Sequence, residues 1–431
     1  MSGIERRHFL LGSAVTAIAA ATVAKASAAE TVALPSVDDA AIATDKAYWA
    51  AVGDLYDVDR SIANLENGYW GIMARPVLQA YLENTQRVNR QNTVYARNAF
   101  GKDAEDVCNR VAAAVGAAPE EIALTRGATE ALQVLITGYN KLQPGDAVIY
   151  SDLDYDSMQY AMNALAPRRG VEVKTFAIPE PATREAVLEA YRAVLEATPK
   201  ARLLMLTHLS HRTGLVMPIR EIADMARSRG VDVVVDAAHS WGQMDFNVAD
   251  LGADFVGFNL HKWIGAPIGM GFFYIRKDRL ADIDRDLADE DWPKDDIRSR
   301  IHTGTTNFAA TLTVPAALDL HAMISSKRKQ ARLTYLRNYW VKKARAIDTI
   351  EILTPDDAAM HAGITSFRVK GKISKDDNNA LMVALRDQHK VLTVRRAGIA
   401  KGQCLRVSPA LYTTEAELDQ LVEGLNAISS S

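Results

Sequence analysis

Apolar runs that end in polar side chains recur along the middle of the chain. The clearest are 203–206, which precedes Thr207, and 231–235, which precedes Asp236 and is interrupted only by Asp232. Runs of this kind predict strands that are buried on both faces of a parallel sheet. Polar residues at the carboxyl ends of such strands lie where open α/β sheets bind their ligands.

Helical patterns separate and follow these strands. They predict one helix over 76–115, interrupted by the polar stretch 89–98, and another over 219–229. A long helix is predicted from 314, and helix and strand then alternate through 431, which indicates a C-terminal domain. The highly charged segment 280–300 predicts an exposed excursion.

Two residues at the ends of apolar runs indicate a particular chemistry. Asp236 ends one predicted strand, and Lys262 stands between His261 and Trp263 after a further apolar run. A lysine in an apolar, aromatic setting has a lowered pKa, as an amine that forms an imine requires. Pyridoxal phosphate needs both groups, because a lysine binds its aldehyde and an acid partners its pyridine nitrogen. The pair therefore predicts a pyridoxal-phosphate site.

Around this pair the sequence resembles the class V aminotransferase family of fold-type I pyridoxal-phosphate enzymes. The family pattern is Asp-x-Ala-(His/Gln), then about two dozen residues, then (Ser/Asn)-x-His-Lys. This chain matches it with Asp236, His239, Asn259, His261 and Lys262. The resemblance implies that all five contact the cofactor and that Lys262 acts as the catalytic base.

The resemblance also implies a fold and a domain organisation. The expected fold class is α/β, a fold-type I transferase whose large domain holds a mostly parallel seven-stranded sheet and whose smaller C-terminal domain is α+β. The expected limits are 29–75 for an N-terminal arm, 76–313 for the large domain and 314–431 for the small domain. The expected assembly is a homodimer with its active sites at the subunit interface.

A turn followed by a helix is the expected phosphate site. Gly127, Ala128 and Thr129 stand where a strand ends and a helix starts, and backbone N–H groups at a helix N-terminus bind phosphate. The alternative for Thr129 is an ordinary N-cap. By resemblance, Tyr155 stacks on the pyridine ring and Thr305 reaches the phosphate of the neighbouring subunit.

An Asn-Gly turn near the N-terminus resembles the stretch that lies near the substrate in this family. By that resemblance Asn67, Tyr69 and Trp70 line the substrate pocket. The alternative is a turn that carries two core aromatic residues, since turns of this composition are common.

A basic residue in an apolar strand is the expected substrate anchor. By resemblance Arg406 binds a substrate α-carboxylate, because a guanidinium suits bidentate binding of that group, and Arg395 and Arg396 are further candidates. An internal salt bridge is the alternative for Arg406. His211 stands where the family often has a small amide, and it either moves protons beside the cofactor or bonds to loop backbone.

These residues are compatible with several reactions of an amino acid or an amino-acid-derived amine. Return of the α-proton to the other face gives epimerisation, its transfer to the cofactor gives transamination, and loss of a β-group gives a lyase. The sequence is similar to the isopenicillin N epimerase-like branch, which favours an epimerase or aminotransferase. Alternatives are periplasmic tailoring of a siderophore or other natural product, a C–S lyase or cysteine desulfurase, and an exported binding protein without catalysis.

Composition narrows the range of partners. The 431 residues carry a formal net charge of −3 with mixed signs, which gives no reason to expect nucleic acid as a partner. Cys108 and Cys404 form neither a disulfide framework nor a metal-ligand pattern, so we expect two structural thiols and no metal site.

The N-terminal residues predict export. Arg6 and Arg7 precede the apolar run 11–23, and Ala26-Ser27-Ala28 offers a cleavage site. These features are typical of a twin-arginine signal peptide, here over 1–28, and the run is too short for a spanning helix. The expected location is the periplasm, with no membrane span in the mature chain.

Overall fold

The structure, a computed structural model, describes residues 34–429. The predicted signal peptide therefore lies outside the described residues. The helices are α1 (Lys46–Gly53), α2 (Arg75–Asn98), α3 (Phe100–Val115), α4 (Ala128–Gly138), α5 (Asp156–Arg169), α6 (Arg184–Ala197), α7 (Ile219–Arg227), α8 (Phe308–Ile324), α9 (Ser326–Ala344), α10 (Lys375–His389) and α11 (Glu415–Ser429). The strands are β1 (Ala63–Asn64), β2 (Ile122–Thr125), β3 (Ala147–Ser151), β4 (Glu172–Phe176), β5 (Ala201–Thr207), β6 (Asp232–Asp236), β7 (Phe255–Asn259), β8 (Gly271–Ile275), β9 (Ile350–Ile352), β10 (Thr365–Val369), β11 (Val391–Leu392), β12 (Val394–Arg396) and β13 (Cys404–Val407).

A seven-stranded sheet forms the centre of the molecule, in the order β2-β8-β7-β6-β5-β3-β4. Strand β8 is antiparallel to both of its neighbours, whereas β7, β6, β5, β3 and β4 run parallel. Every residue of β7 and β8 is buried. The predicted α/β fold with a mostly parallel seven-stranded sheet is confirmed.

The register of this sheet gathers polar residues at one edge. Thr207 pairs with Asp236, and Asp236 pairs with Gly257 one strand further along. Because β5, β6 and β7 are parallel, the residues that follow each of them emerge on the same side. The segments after Asp236 and Asn259 therefore meet at this carboxyl edge.

A second sheet lies in the C-terminal part of the chain. It is antiparallel, in the order β12-β13-β10-β9, and its core packs around Trp340 and Leu405. Strand β1 pairs in parallel with β11, so the N-terminal arm lies against this part of the protein. This pairing brings Glu66 beside Ser408. The limits of the predicted domains remain predictions.

The region 76–115 is helical, as predicted, but it is divided into two helices, α2 and α3. Helix α2 contains a non-helical residue, Asn92, with a φ of 48°, and Ala99 separates α2 from α3. Asparagine tolerates a positive φ better than most residues, so the polar stretch breaks the helix.

The helix predicted from 314 also has a different start. Helix α8 begins at Phe308, because the Asn307 side chain accepts a hydrogen bond from the N–H of Ala310 and caps the helix. Part of the charged segment 280–300 is buried rather than exposed, since Asp289 and Arg300 are each at most 4% exposed.

Within the described range, no single helix is both long and apolar enough to cross a membrane. Helices α8 and α9 meet those criteria only when taken together, and they are bent by 73° at their junction.

Candidate active site

Lys262 lies at the carboxyl edge of the central sheet in a short turn after β7. Its Nζ is 3.0 Å from Nε2 of His239, which follows β6. The other ring nitrogen of His239, Nδ1, accepts a hydrogen bond from the indole N–H of Trp263 at 3.4 Å. His239 is therefore held between the lysine and the tryptophan that follows it in the chain.

This arrangement favours an uncharged amine on Lys262. Burial, with Lys262 and Arg406 adding to it, lowers the pKa of His239 well below its usual value, so the ring is neutral. Because Nδ1 accepts from Trp263, the ring proton resides on Nε2 and is donated to Lys262. Loss of water contact lowers the pKa of Lys262 to about 8, with Asp236 opposing the fall and Arg406 adding to it.

Asp236 supplies the acidic group that the sequence predicts. It is 5% exposed, and its Oδ1 accepts a hydrogen bond from the N–H of Ala238 at 2.8 Å. Burial raises the pKa of Asp236, while the Ala238 N–H and the charge of Lys262 act in the opposite direction. A cation placed beside this carboxylate would hold it ionised.

The turn before α4 is held close to the lysine segment. Oδ1 of Asn259 accepts the N–H of Ala128 at 2.8 Å, and Nδ1 of His261 lies 2.9 Å from the carbonyl oxygen of Met270. Gly127 has a φ of 155°, and a Cβ there would lie 3.2 Å from Asn259 Oδ1. Glycine thus allows this close approach.

The N-terminus of α4 retains donors for an anion. The N–H groups in the first turn of a helix have no partner within the helix. Ala128 is already bonded to Asn259, so phosphate contacts would fall chiefly to Thr129, which is exposed. The phosphate role of Gly127, Ala128 and Thr129 remains a prediction.

The Tyr155 and His211 rings are in contact, and the charge of Lys262 reaches His211. Their rings are 5.1 Å apart, edge to face at 88°. Nδ1 of His211 is buried and has no hydrogen-bond partner among residues 34–429. Burial lowers the pKa of His211 well below its usual value, and Arg396, Arg212 and Arg406 lower it further. The ring is therefore neutral, and the stacking role of Tyr155 stays a prediction.

Arg406 is held in an internal salt bridge in this structure. Its Nη2 lies 2.6 and 2.7 Å from the two carboxylate oxygens of Glu66, and its Nη1 donates to the carbonyl oxygen of His211 at 2.9 Å. Arg396 contacts the same carboxylate through Nη2 at 3.3 Å. Binding of a substrate carboxylate by Arg406 remains a prediction, and Glu66 is a member of the site that sequence reasoning missed.

The predicted pocket residues near the N-terminus have different environments. The Asn67 amide donates to the carbonyl oxygens of Asn64 and Ser408 and accepts from the Tyr412 hydroxyl, so it fastens the N-terminal arm to the C-terminal part. Tyr69 is 70% exposed and packs against Trp70, with ring centres 4.9 Å apart. The alternative of two core aromatic residues is wrong, since both rings are exposed.

Thr305, which the resemblance assigns to a phosphate, and the neighbouring residue of His211, Arg212, have different environments. Thr305 is exposed, two residues before the residue that caps α8. Arg212 is 1% exposed and pairs with Asp156 at 2.5 Å, which indicates a structural role. The contact of Thr305 with a neighbouring subunit remains a prediction.

Lys329 is a buried residue that the sequence did not reveal. It is 4% exposed, and its Nζ donates to the carbonyl oxygen of Trp263 at 2.5 Å. Burial lowers its pKa to about 7, and it lines a small cavity beside Lys262. The run Ser-Lys-Arg-Lys-Gln at 326–330 gives no sign of which basic side chain points inward.

The residues of the site fit pyridoxal phosphate. Lys262 offers a largely desolvated amine for the aldehyde, and Asp236 offers a buried carboxylate for the pyridine nitrogen. The start of α4 offers N–H donors for the phosphate. Nδ1 of His211 is a buried polar atom without a hydrogen-bond partner among the described residues, and a bound ligand in this region could supply one.

This site and this fold define an enzyme that uses pyridoxal phosphate. The chain belongs to the class-V aminotransferase family, whose model matches residues 73–421. The alternative of a binding protein without catalysis is set aside.

Relatives with different activities share this family. Isopenicillin N epimerase from Amycolatopsis lactamdurans is 28% identical over 411 residues, which cover 88% of this chain and 98% of that protein. A cysteine desulfurase from Haloferax volcanii is 27% identical over 75% of this chain and 78% of its own length. Membership of the family therefore establishes the cofactor, but it leaves open which reaction this chain catalyses.

Solved structures give the same fold. A variant of the cystine C–S lyase C-DES, with glycine covalently linked to its pyridoxal-phosphate cofactor, superposes with a TM-score of 0.73. The match has 21% sequence identity and covers 85% of this chain and 97% of that chain.

The lowered pKa of Lys262 predicts how fast the cofactor-free protein takes up pyridoxal phosphate. Only the uncharged amine attacks an aldehyde, and with a pKa of about 8 roughly one lysine in ten is uncharged at pH 7. We expect the recombination rate, followed by visible absorbance, to rise with pH and level off above a midpoint near 8. A midpoint near 10.5, the usual lysine value, would contradict this environment for Lys262.

Proposed function

We propose that the protein acts at the α-carbon of an amino acid or an amino-acid-derived amine, as an epimerase or an aminotransferase. The observation that carries this proposal is the buried Lys262, whose pKa is lowered to about 8, in contact with His239 and near the buried Asp236. The similarity to isopenicillin N epimerase over nearly the full length of both chains supports the same class of reaction.

Each side chain has a defined part in this chemistry. Bound pyridoxal phosphate withdraws electrons from the substrate's α-carbon and so makes its proton removable. Lys262 then takes that proton on Nζ, since its pKa near 8 suits a base at neutral pH. Asp236 stabilises the protonated pyridine nitrogen through its charge. His239 orients the lysine, and Trp263 fixes the tautomer of His239.

His211 is the group that separates the two reactions within this proposal. Epimerisation requires a second proton-transfer group on the face opposite Lys262. His211, which is neutral because of its lowered pKa, offers an unpartnered Nδ1 within the same charged cluster and would act there as a base, with Lys262 supplying the returning proton. Transamination requires only that Lys262 return its proton to the cofactor. A role for His211 as acid or base is therefore tied to epimerase activity.

A C–S lyase is the second candidate, because cysteine desulfurases are also relatives. A desulfurase that forms a persulfide needs a reactive thiolate. Cys404 is buried, and burial raises its pKa to about 12; Cys108 is half-buried, and burial raises its pKa to about 11. The raised pKa values of both thiols argue against a desulfurase that forms a persulfide. The C–S lyase candidate is therefore an enzyme that eliminates a β-substituent.

Product analysis distinguishes these reactions. The cofactor-loaded protein is incubated with single L-amino acids, with and without a 2-oxo acid as amino acceptor. Appearance of the D-isomer supports an epimerase, and acceptor-dependent formation of a 2-oxo acid supports an aminotransferase. Formation without an acceptor of pyruvate and sulfide from cysteine, or of pyruvate and cysteine persulfide from cystine, would instead support the lyase.

We further propose that the enzyme is exported and modifies a natural product, such as a siderophore, in the periplasm. The support is the Arg6-Arg7 pair with the apolar run and the cleavage site that follow it. The twin-arginine route carries folded proteins, which suits an enzyme that binds its cofactor in the cytoplasm. Replacing Arg6 and Arg7 by lysine is expected to retain the protein inside a bacterial host. Unchanged export of the double variant would rule out the twin-arginine route.

A homodimer is proposed on the basis of exposed apolar residues. Leu78 and Leu82 of α2 are 38% and 50% exposed, and Val94 further along is 71% exposed. Leu78 and Leu82 stand one turn apart on α2, before the break at Asn92, and neighbouring exposed apolar side chains are typical of a surface that a partner covers. Sedimentation velocity is expected to give a dimer, and a fully active monomer would contradict the proposal.

A further inference from the structure

Glu66 is paired with the guanidinium of Arg406, which by resemblance to the family binds the substrate carboxylate. Both of its carboxylate oxygens contact Nη2 of Arg406, and Oε1 also lies 3.3 Å from Nη2 of Arg396. Arg406 is 1% exposed, whereas the Glu66 side chain is 14% exposed. The Arg406 guanidinium is therefore enclosed by the protein, and the Glu66 carboxylate is the partner that is partly exposed to solvent.

The hydrogen bonds of Arg406 leave one edge of its guanidinium, formed by Nε and Nη2, for binding a carboxylate. Nη1 donates to the carbonyl oxygen of His211, so the Nε and Nη2 edge is the one that can bind two carboxylate oxygens side by side. Glu66 uses only Nη2 of that edge, and Nε is buried with no partner among the described residues. Nε of Arg396 is likewise buried and unpartnered. Arg406 is 1% exposed, so its unused Nε is a buried donor that a second carboxylate could take up together with Nη2.

The charges of the cluster favour exchange of one carboxylate for another. Arg396 and Arg406 bring two positive charges near Lys262, and Glu66 brings one negative charge that raises the pKa of Lys262. Departure of Glu66 alone would leave the buried Arg406 and the partly exposed Arg396 without that carboxylate. If a substrate carboxylate takes its place, the net charge of the cluster is unchanged.

We propose that Glu66 is an internal stand-in for the substrate carboxylate, held on Arg406 and Arg396 until a substrate displaces it. The proposal rests on the proposed function and narrows its substrate to one that carries a free carboxylate. It makes Glu66 a specificity-determining residue. An amino acid replaces the lost salt bridge with its own, using Nε as well as Nη2, whereas an amine without a carboxylate leaves Glu66 in place and is excluded.

Removal of the internal competitor should strengthen the binding of a simple carboxylate. The probe is propionate, titrated into the cofactor-loaded protein and followed by NMR line broadening. We expect Glu66→Gln to bind propionate about tenfold or more tightly than the wild type, since a charge-assisted pair no longer has to be broken. Glu66→Asp, whose side chain is one methylene shorter, is expected to lie between them. Propionamide should bind with the same affinity to the wild type, Glu66→Gln and Glu66→Asp.

The controls separate this role from a purely structural one. Glu196→Gln makes the same chemical change in an exposed pair with Arg229, and it should bind propionate as the wild type does. Arg406→Gln should abolish the gain in the presence of Glu66→Gln. Equal or weaker propionate binding by Glu66→Gln and Glu66→Asp would overturn the proposal and make Glu66 a fixed brace for Arg406. Because propionate carries no amine and is not turned over, failure of the proposed reaction would leave this test intact.

Discussion

We expect Lys262→Ala to lose the visible absorbance of lysine-bound pyridoxal phosphate and to lower amino-acid turnover by at least about 10²-fold. Lys262 is the amine that His239 contacts, and its pKa of about 8 suits both aldehyde binding and proton transfer. An alanine side chain supplies neither function. The visible spectrum and the rate of substrate loss measure the two effects separately.

A second buried lysine, Lys329, requires that the experiment identify which lysine binds the cofactor. Lys329 also has a lowered pKa and lines the cavity beside Lys262, but its Nζ is bonded to the carbonyl oxygen of Trp263. Reduction with borohydride followed by peptide mapping should place the adduct on Lys262 in the wild type. A reducible adduct that persists in Lys262→Ala would transfer the role to another lysine. Lys277→Ala, at an exposed pair with Glu120, should behave as the wild type.

Asp236→Asn is expected to retain the cofactor and to lose activity by roughly 10²-fold or more, which is the scale of removing one aligned electrostatic group from an active site. An amide has no charge with which to hold a proton on the pyridine nitrogen, so the α-proton becomes harder to remove. Lys262 is unchanged in this variant, so the bound cofactor should remain visible. Cofactor content and turnover are measured on the same sample.

A buried aspartate at the opposite end of the sheet provides the control. Asp254 is 7% exposed, directly precedes β7, and pairs with Arg276 and Arg279. Asp254→Asn is expected to change the free energy of unfolding and to leave the turnover of the folded enzyme near that of the wild type. Near-normal turnover of Asp236→Asn would mean that Asp236 has a structural role alone.

Much of the central sheet follows from local sequence. The runs 203–206 and 231–235 predict β5 and β6 because a strand buried on both faces must be apolar along its length. Helix limits are less accessible, because they depend on single side chains. The Asn307 cap moves the start of α8 to Phe308, and Asn92 breaks the helix predicted over 76–115.

The site divides in the same way. Asp236, His239, Asn259 and Lys262 stand in two short segments, so the resemblance to the class V pattern predicts them from local sequence, and the structure brings the two segments together at the carboxyl edge of the sheet. The pairing of Glu66 with Arg406 joins residues 340 positions apart. It depends on how the N-terminal arm lies against β13, and no local pattern encodes such a contact.

Exchange of the α-proton in deuterated water tests most directly whether Lys262 acts as a base at the α-carbon of an amino acid. Single amino acids are incubated with the cofactor-loaded wild type and with Lys262→Ala, and deuterium at the α-carbon is measured by mass spectrometry. We expect the wild type to incorporate deuterium into its substrate, whether the substrate is epimerised, transaminated or cleaved, and Lys262→Ala to incorporate none above background. Full retention of the α-proton in every amino acid tested, with a wild-type protein that is visibly loaded with cofactor, would contradict this role.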